Sequence, residues 1–88
     1  ISSIILLKKT IAMLKANGYQ VGNIDTTLCL QRPKIKDLIP RMMECLATAM
    51  EIEPGNVSVK ATTTEKLGFV GEEKGIAAYA VALIVKMA

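Results

Sequence analysis

Hydrophobic residues recur along the chain with two different periods, which separate the predicted helices from the predicted strands. From the first residue onward, apolar positions lie three and four apart, which predicts an amphipathic helix that ends at Asn17-Gly18. A second stretch with this period begins at Asp37 and predicts another helix, with Pro40 tolerated in its first turn. Its apolar stripe contains methionines, which at helical spacing are typical of core packing rather than of a ligand groove. The two stripes are Ile4, Leu7, Ile11 and Leu14, and Ile39, Met42, Met43, Leu46 and Met50.

Three other segments show the alternation of a β-strand. Residues 24–31 have one apolar and one largely polar face, and Pro33 stops the ladder soon afterwards. Residues 57–62 alternate after a turn at residues 54–56. Residues 76–87 are apolar at both sets of positions, so a strand there would be buried on both faces, although the alanines also permit a helix. The order helix, strand, helix, strand, strand predicts an α/β (α+β) fold, a mixed sheet with helices packed on one face.

The length and composition favour one small domain that associates with itself. The 88 residues are enough for a single domain, residues 1–88. The hydrophobic share of 51% is high for so small a body, which predicts that a partner covers part of the apolar surface. The net charge of +3 comes from dispersed lysines, and aromatic residues for base stacking are almost absent, so nucleic acid is a poor candidate partner. The apolar runs are shorter than the roughly 20 residues that span a membrane as a helix.

The absence of histidine and the presence of only two cysteines restrict the catalytic and metal-binding chemistry of the chain. The chain has no histidine, which excludes a Ser-His triad, a Cys-His pair and the commonest zinc ligand. Cys29 and Cys45 match no metal-ligand spacing, and two free thiols favour a reducing compartment. Ile1 falls inside the first helical pattern with no capping residue before it, so we expect the domain to be incomplete at its N-terminus.

The end of the second predicted strand carries the strongest chemical signal. Val57, Val59 and Ala61 form its apolar face, and the strand runs directly into Thr62-Thr63-Thr64-Glu65. Threonines can offer hydroxyl and backbone donors to phosphate oxygens, and Glu65 is a hard oxygen ligand suited to Mg²⁺ or Mn²⁺. The other interpretation is a β-branched strand end followed by a helix N-cap.

The end of the first predicted strand offers a turn with free backbone groups. Ligands often bind at strand ends in parallel or mixed sheets, so two such ends side by side would suit a nucleoside diphosphate. Proline turns and threonine-rich strand ends also occur in purely structural roles. The turn consists of Leu30, Gln31, Arg32, Pro33, Lys34, Ile35 and Lys36.

A longer block around the threonines points to a family. The run Lys60-Ala61-Thr62-Thr63-Thr64-Glu65-Lys66-Leu67-Gly68-Phe69, followed by Gly71 and Gly75-Ile76-Ala77, closely resembles the signature of the 2-C-methyl-D-erythritol 2,4-cyclodiphosphate synthases. Gly18-Tyr19, residues 22–25 and Pro33-Lys34 also fall where that family has equivalents. The resemblance covers essentially the whole chain.

The resemblance implies a lyase of non-mevalonate isoprenoid biosynthesis. It implies cyclisation of a cytidine-diphosphate-linked methylerythritol phosphate, in which the 2-phosphate attacks the β-phosphate and CMP leaves. It also implies a homotrimer with active sites between subunits, in a bacterial cytoplasm or a plastid stroma-like reducing compartment.

The resemblance assigns roles to individual residues. Residues 30–36 would form the cytosine pocket, largely through backbone groups. Thr63 would stabilise charge in the transition state, and Glu65 would bind Mg²⁺ or Mn²⁺ bridging the α- and β-phosphates. The remaining residues expected at the substrate are Thr62, Thr64 and Phe69.

The chain departs from the family pattern in three ways. The family's Zn²⁺ ligands, an aspartate and two histidines, belong to a part before Ile1, as do the groups for the methylerythritol phosphate and the ribose, so we expect no turnover by this chain alone. Many members carry arginine where Glu72 stands and glutamate where Tyr79 stands, positions linked to a central trimer cavity for an isoprenoid diphosphate. Glu72 would repel such a ligand. If Ile1 were the true start, the missing histidines would instead favour a non-catalytic trimeric nucleotide-binding or interaction module of the same scaffold.

Overall fold

The computed structural model describes residues 2–30, 35–62 and 75–88. Its helices are α1 (Ser3–Ala16) and α2 (Ile39–Met50), and its strands are β1 (Tyr19–Cys29), β2 (Val57–Thr62) and β3 (Ala77–Lys86). Short 3-10 turns at Lys36–Leu38 and Pro54–Asn56 precede α2 and β2. The predicted order helix, strand, helix, strand, strand is confirmed, and residues 77–86 form the strand rather than the helix that their alanines also permitted.

The three described strands form a mixed sheet in the order β2-β1-β3. β1 runs parallel to β2, from the pair Ile24–Val57 to the pair Cys29–Thr62. β1 runs antiparallel to β3, from Tyr19–Lys86 to Cys29–Ala77. Since β1 lies in the centre, the sheet places both predicted functional strand ends on neighbouring parallel strands.

β1 begins five residues before the alternation that predicted it, because a β-bulge interrupts the pattern. Val21 pairs with Ile84 and Asn23 with Leu83, so Gly22 is the extra residue. Side chains before the bulge therefore lie out of phase with those after it. A Cβ at Gly22 would lie 3.4 Å from the backbone oxygen of Leu83, which explains why a residue without a side chain fits this close approach.

The core lies between the helices and one face of the sheet. α1 packs on β1, α2 packs on β2, and the helices contact each other. The methionine stripe of α2 faces this layer, as predicted: Met50 is buried, and Met42 and Met43 are partly buried against the core. The buried core residues are Ile11, Val21, Ala47, Met50, Val57 and Val59.

The predicted burial of β3 on both faces is wrong for this chain. Val81 is 75% exposed on one face of the sheet, and Ile84 is 45% exposed on the other. Ile84 is exposed because α1 and α2 pack on β1 and β2 while β3 lies at the edge of the described sheet, and Val81 is exposed because it lies on the face opposite these helices. The strand thus presents apolar surface that the described residues do not cover.

The ends of α1 are capped by polar groups. Ser2 is the N-cap, and its Oγ accepts a hydrogen bond from the N–H of Ile4 at 3.2 Å. The sequence predicted an uncapped helix already running at Ile1, whereas the helix begins at Ser3. The predicted stop is confirmed: Asn17 Nδ2 donates to the carbonyl of Met13 at 2.8 Å, and Gly18 adopts φ +85°.

Glu51 ends α2 in the left-handed region, with φ 60° and ψ 43°. This conformation is strained for a residue with a Cβ. The carboxylate also forms an exposed ion pair with Lys15 at 2.6 Å. Exposed pairs of this kind contribute little to stability, so the backbone strain decides the effect of a substitution.

We expect Glu51→Gly to be more stable than Glu51→Ala by about 1 kcal/mol, since both remove the ion pair and only glycine relieves the strain. Urea denaturation at fixed protein concentration measures the difference. Lys15→Ala is the control, because it removes the ion pair and leaves the backbone conformation in place. A Gly variant no more stable than the Ala variant would contradict the expectation.

Candidate functional site

The two predicted functional strand ends lie side by side. Cys29 pairs with Thr62 as the last partners of the β1–β2 ladder. The N–H of Leu30 then donates to the carbonyl of Thr62 at 3.0 Å, one step beyond the ladder. Since the strands are parallel, their carboxyl ends open at the same edge, which is where α/β sheets commonly bind ligands.

Only part of the predicted site falls in the described ranges. Leu30 is 6% exposed, and its N–H donates to the Thr62 carbonyl within the sheet. Ile35 is half-buried, Lys36 is exposed at the start of the first 3-10 turn, and Thr62 is exposed at the end of β2. The predicted residues outside the described ranges are Gln31, Arg32, Pro33, Lys34, Thr63, Thr64, Glu65 and Phe69.

The sheet face opposite the helices carries a polar group of residues that sequence reasoning did not single out. Asp25 and Lys60 form an ion pair across β1 and β2, with distances of 3.3 Å and 3.5 Å from Nζ to the two carboxylate oxygens. Alternation in each strand was visible in the sequence, but the pairing depends on a register that only the sheet supplies. A shallow depression of about 300 Å³ beside this pair is lined in part by Asn23, Asn56 and Ser58.

A separate hydrogen bond joins the same strands. Thr26 Oγ1 donates to the carbonyl of Ser58 at 2.9 Å. The ladder, this hydroxyl and the Leu30 N–H together tie β2, an edge strand of the described sheet, to the central strand. The position of Thr62 relative to Leu30 is therefore well defined.

Metal-binding groups are sparse in the described ranges. No group of three or more Cys, Asp or Glu side chains there is arranged to hold a metal ion. Cys29 is half-buried in β1 and Cys45 is exposed on α2, and both are free. The predicted metal ligand Glu65 lies outside the described residues, so its role stays a prediction. Neither described helix is long and apolar enough to cross a bilayer.

The fold defines a small α+β protein in which the carboxyl ends of two parallel strands lie side by side at one edge of the sheet. Residues 1–85 match the YgbB family, and the chain belongs to that family. A Bacteroides fragilis protein named 2-C-methyl-D-erythritol 2,4-cyclodiphosphate synthase is 58% identical over 84 residues, which cover 96% of this chain and 53% of the relative.

Solved structures agree with this assignment. A Plasmodium falciparum structure described as IspF in complex with CDP has a TM-score of 0.93 at 31% identity, over 99% of this chain and 56% of that one. The 2C-methyl-D-erythritol 2,4-cyclodiphosphate synthase of Plasmodium vivax has a TM-score of 0.95 at 29% identity, over 99% and 58%. The chain thus spans about half the length of these relatives, and the resemblance seen in the sequence is confirmed.

The buried side chain of Leu30 should contribute to the stability of the protein. Leu30→Ala should destabilise the protein by about 2–4 kcal/mol, because it removes a buried side chain and leaves the N–H bond to Thr62 in place. Denaturant unfolding measures the loss of stability, and an unfolding free energy equal to that of the wild type would contradict the expectation.

Proposed function

We propose that this chain is the cytidine- and diphosphate-binding part of a 2-C-methyl-D-erythritol 2,4-cyclodiphosphate synthase of the non-mevalonate isoprenoid route. The complete enzyme converts 4-diphosphocytidyl-2-C-methyl-D-erythritol 2-phosphate into 2-C-methyl-D-erythritol 2,4-cyclodiphosphate and CMP. The observation that carries the proposal is the Leu30–Thr62 hydrogen bond, which joins the predicted cytosine turn to the threonine block. The alternative of a non-catalytic module of the same scaffold is not favoured, since the relatives described above carry the name of the synthase.

The proposed reaction asks mainly for positioning and charge neutralisation. An oxygen of the 2-phosphate attacks the β-phosphorus, and the bond between that phosphorus and the oxygen bridging to the α-phosphate breaks. CMP leaves with the bridging oxygen, and no redox step is involved. Such transfers gain most from holding the reacting groups in line and from donors placed where negative charge develops.

The proposed roles follow from donor type and position. Residues 30–36 follow β1 in the sequence and select the cytosine edge through backbone groups. Thr62, at the end of β2, is the first of the residues that bind the diphosphate. Thr63 donates a hydrogen bond to a phosphate oxygen that gains negative charge in the transition state. Thr64 and Phe69 are the remaining substrate contacts. In the assembled enzyme, the residues that cover this sheet edge exclude water from the reacting phosphates.

The metals are proposed from donor chemistry. A glutamate carboxylate beside threonine hydroxyls is a hard oxygen set, which fits Mg²⁺ or Mn²⁺ at Glu65. Such an ion, when bound, neutralises charge on the diphosphate. The chain has no histidine, and the two thiols lie on different elements, so these residues do not form a Zn²⁺ site. Zinc ligands are proposed to come from residues before Ile1.

The exposed apolar strand supports the proposed homotrimer. Tyr79, Val81 and Leu83 are 65%, 75% and 59% exposed, and their register places them on the sheet face that also carries Asp25. A contiguous apolar surface of this kind is characteristic of a protein interface. We propose that neighbouring copies cover the β3 part of this face, with each active site between two subunits, in a reducing compartment. Glu72 lies outside the described residues, and its effect on a central cavity stays a prediction.

Removal of the proposed metal ligand should abolish most of the activity. In the complete protein with Mg²⁺, Glu65→Ala should reduce the rate of CMP release by a factor on the order of 10² or more. The reason is that the metal ion that neutralises charge on the diphosphate loses its proposed ligand. The trimer should remain intact in size-exclusion chromatography with light scattering. Glu53→Ala is the matched control, since Glu53 is an exposed carboxylate between α2 and β2. Unchanged CMP release in Glu65→Ala would refute this metal assignment.

Binding of CDP tests the whole proposal. The complete protein with Mg²⁺ should bind CDP in calorimetry and release CMP from the full substrate. Absence of CDP binding would reject the proposed function. Binding without CMP release would instead support the non-catalytic module.

A further inference from the structure

The ion pair between Asp25 and Lys60 holds a lysine close to the ligand edge but turned away from it. Lys60 lies two residues before Thr62 on the same side of β2, about 6.5 Å away along the strand. Asp25 is the register partner of Ser58, whereas Lys60 is the partner of Thr27. The lysine therefore reaches back diagonally, towards the amino end of β2, to meet the carboxylate.

This ion pair is loosely held. Its distances of 3.3 Å and 3.5 Å exceed those of a short charge-assisted hydrogen bond, about 2.7–2.9 Å. The side chains of Lys60 and Asp25 are 59% and 54% exposed. By contrast, Lys15 and Glu51 meet at 2.6 Å. Water can replace either partner of a long, exposed pair at little cost.

The fold does not depend on this contact. β1 and β2 are joined by their parallel ladder, by Thr26 Oγ1 to the Ser58 carbonyl and by the Leu30 N–H to the Thr62 carbonyl. An additional exposed ion pair adds little to strands already tied at these points. The lysine is thus available for another partner.

We propose that Lys60 is a further diphosphate-binding residue, held in reserve by Asp25. When a nucleoside diphosphate occupies the strand ends, the long flexible side chain of Lys60 leaves the carboxylate and turns its ammonium group towards a phosphate oxygen beyond Thr62. Asp25 then competes with the ligand for the same cation. This inference rests on the proposed function and concerns the same ligand edge.

Two substitutions that break the same ion pair separate this role from a structural one. In the complete protein with Mg²⁺, Lys60→Met should weaken CDP binding about tenfold, because a charged contact to phosphate is lost. Asp25→Asn should strengthen CDP binding about threefold, because the competitor for Lys60 is removed. A purely structural pair predicts equal effects of the same sign. Isothermal titration with CDP measures both.

Two controls test whether the effects depend on the phosphates of the ligand and on this particular ion pair. Cytidine without phosphates should bind equally to the wild type, Lys60→Met and Asp25→Asn. Lys15→Met and Glu51→Gln, which break the other exposed ion pair, should leave CDP binding unchanged. Thermal denaturation of each variant establishes that it is folded at the titration temperature, and Lys60→Gln replaces Lys60→Met if the latter does not fold.

Equal losses of CDP affinity in Lys60→Met and Asp25→Asn, or no gain in Asp25→Asn, would overturn the role of Lys60. The proposed function would still stand in that case, provided that the wild type binds CDP. A wild type that does not bind CDP would overturn the proposed function itself, and this inference with it.

Discussion

The parallel pairing of β1 and β2 is the constraint on which the rest of the candidate site depends. Two residues far apart in sequence, Leu30 and Thr62, become neighbours only because these strands share one direction and one register. Parallel neighbours require a crossover, and α2 supplies it while its methionine stripe covers the sheet. The crossover helix thus builds the core and brings the two strand ends to one edge.

The two faces of the sheet serve different purposes. One face packs against α1 and α2, where Ile11, Val57 and Met50 are buried. The other face combines the Asp25–Lys60 ion pair with exposed apolar side chains of β3. Since these β3 side chains lie on the face opposite the helices, the described chain leaves apolar surface that a neighbouring copy is proposed to cover. Lys60 also lies on the face opposite the helices, which leaves its charged group exposed.

Much of the fold was predictable, because hydrophobic periodicity reports which face of an element is buried. Ile11 and Met50 lie on the predicted apolar stripes of the two helices, and both are buried. The strand that begins at Tyr19 was predicted too short, since the bulge at Gly22 reverses the alternation. The burial of β3 was wrong because an apolar pattern shows that a surface needs cover but does not say which chain provides it.

The sequence by itself determined the element order, the chemistry available at Thr62 and the membership of a family, because these depend on residue types and on local spacing. Tertiary structure alone decided that Leu30 meets Thr62 and that Lys60 meets Asp25, because each contact joins residues distant in the chain through the sheet register. It also decided that the Leu30 side chain is buried, since burial depends on what packs against a residue. The local sequence pattern thus decides which chemical groups are present, and the pairing of distant strands decides where they lie.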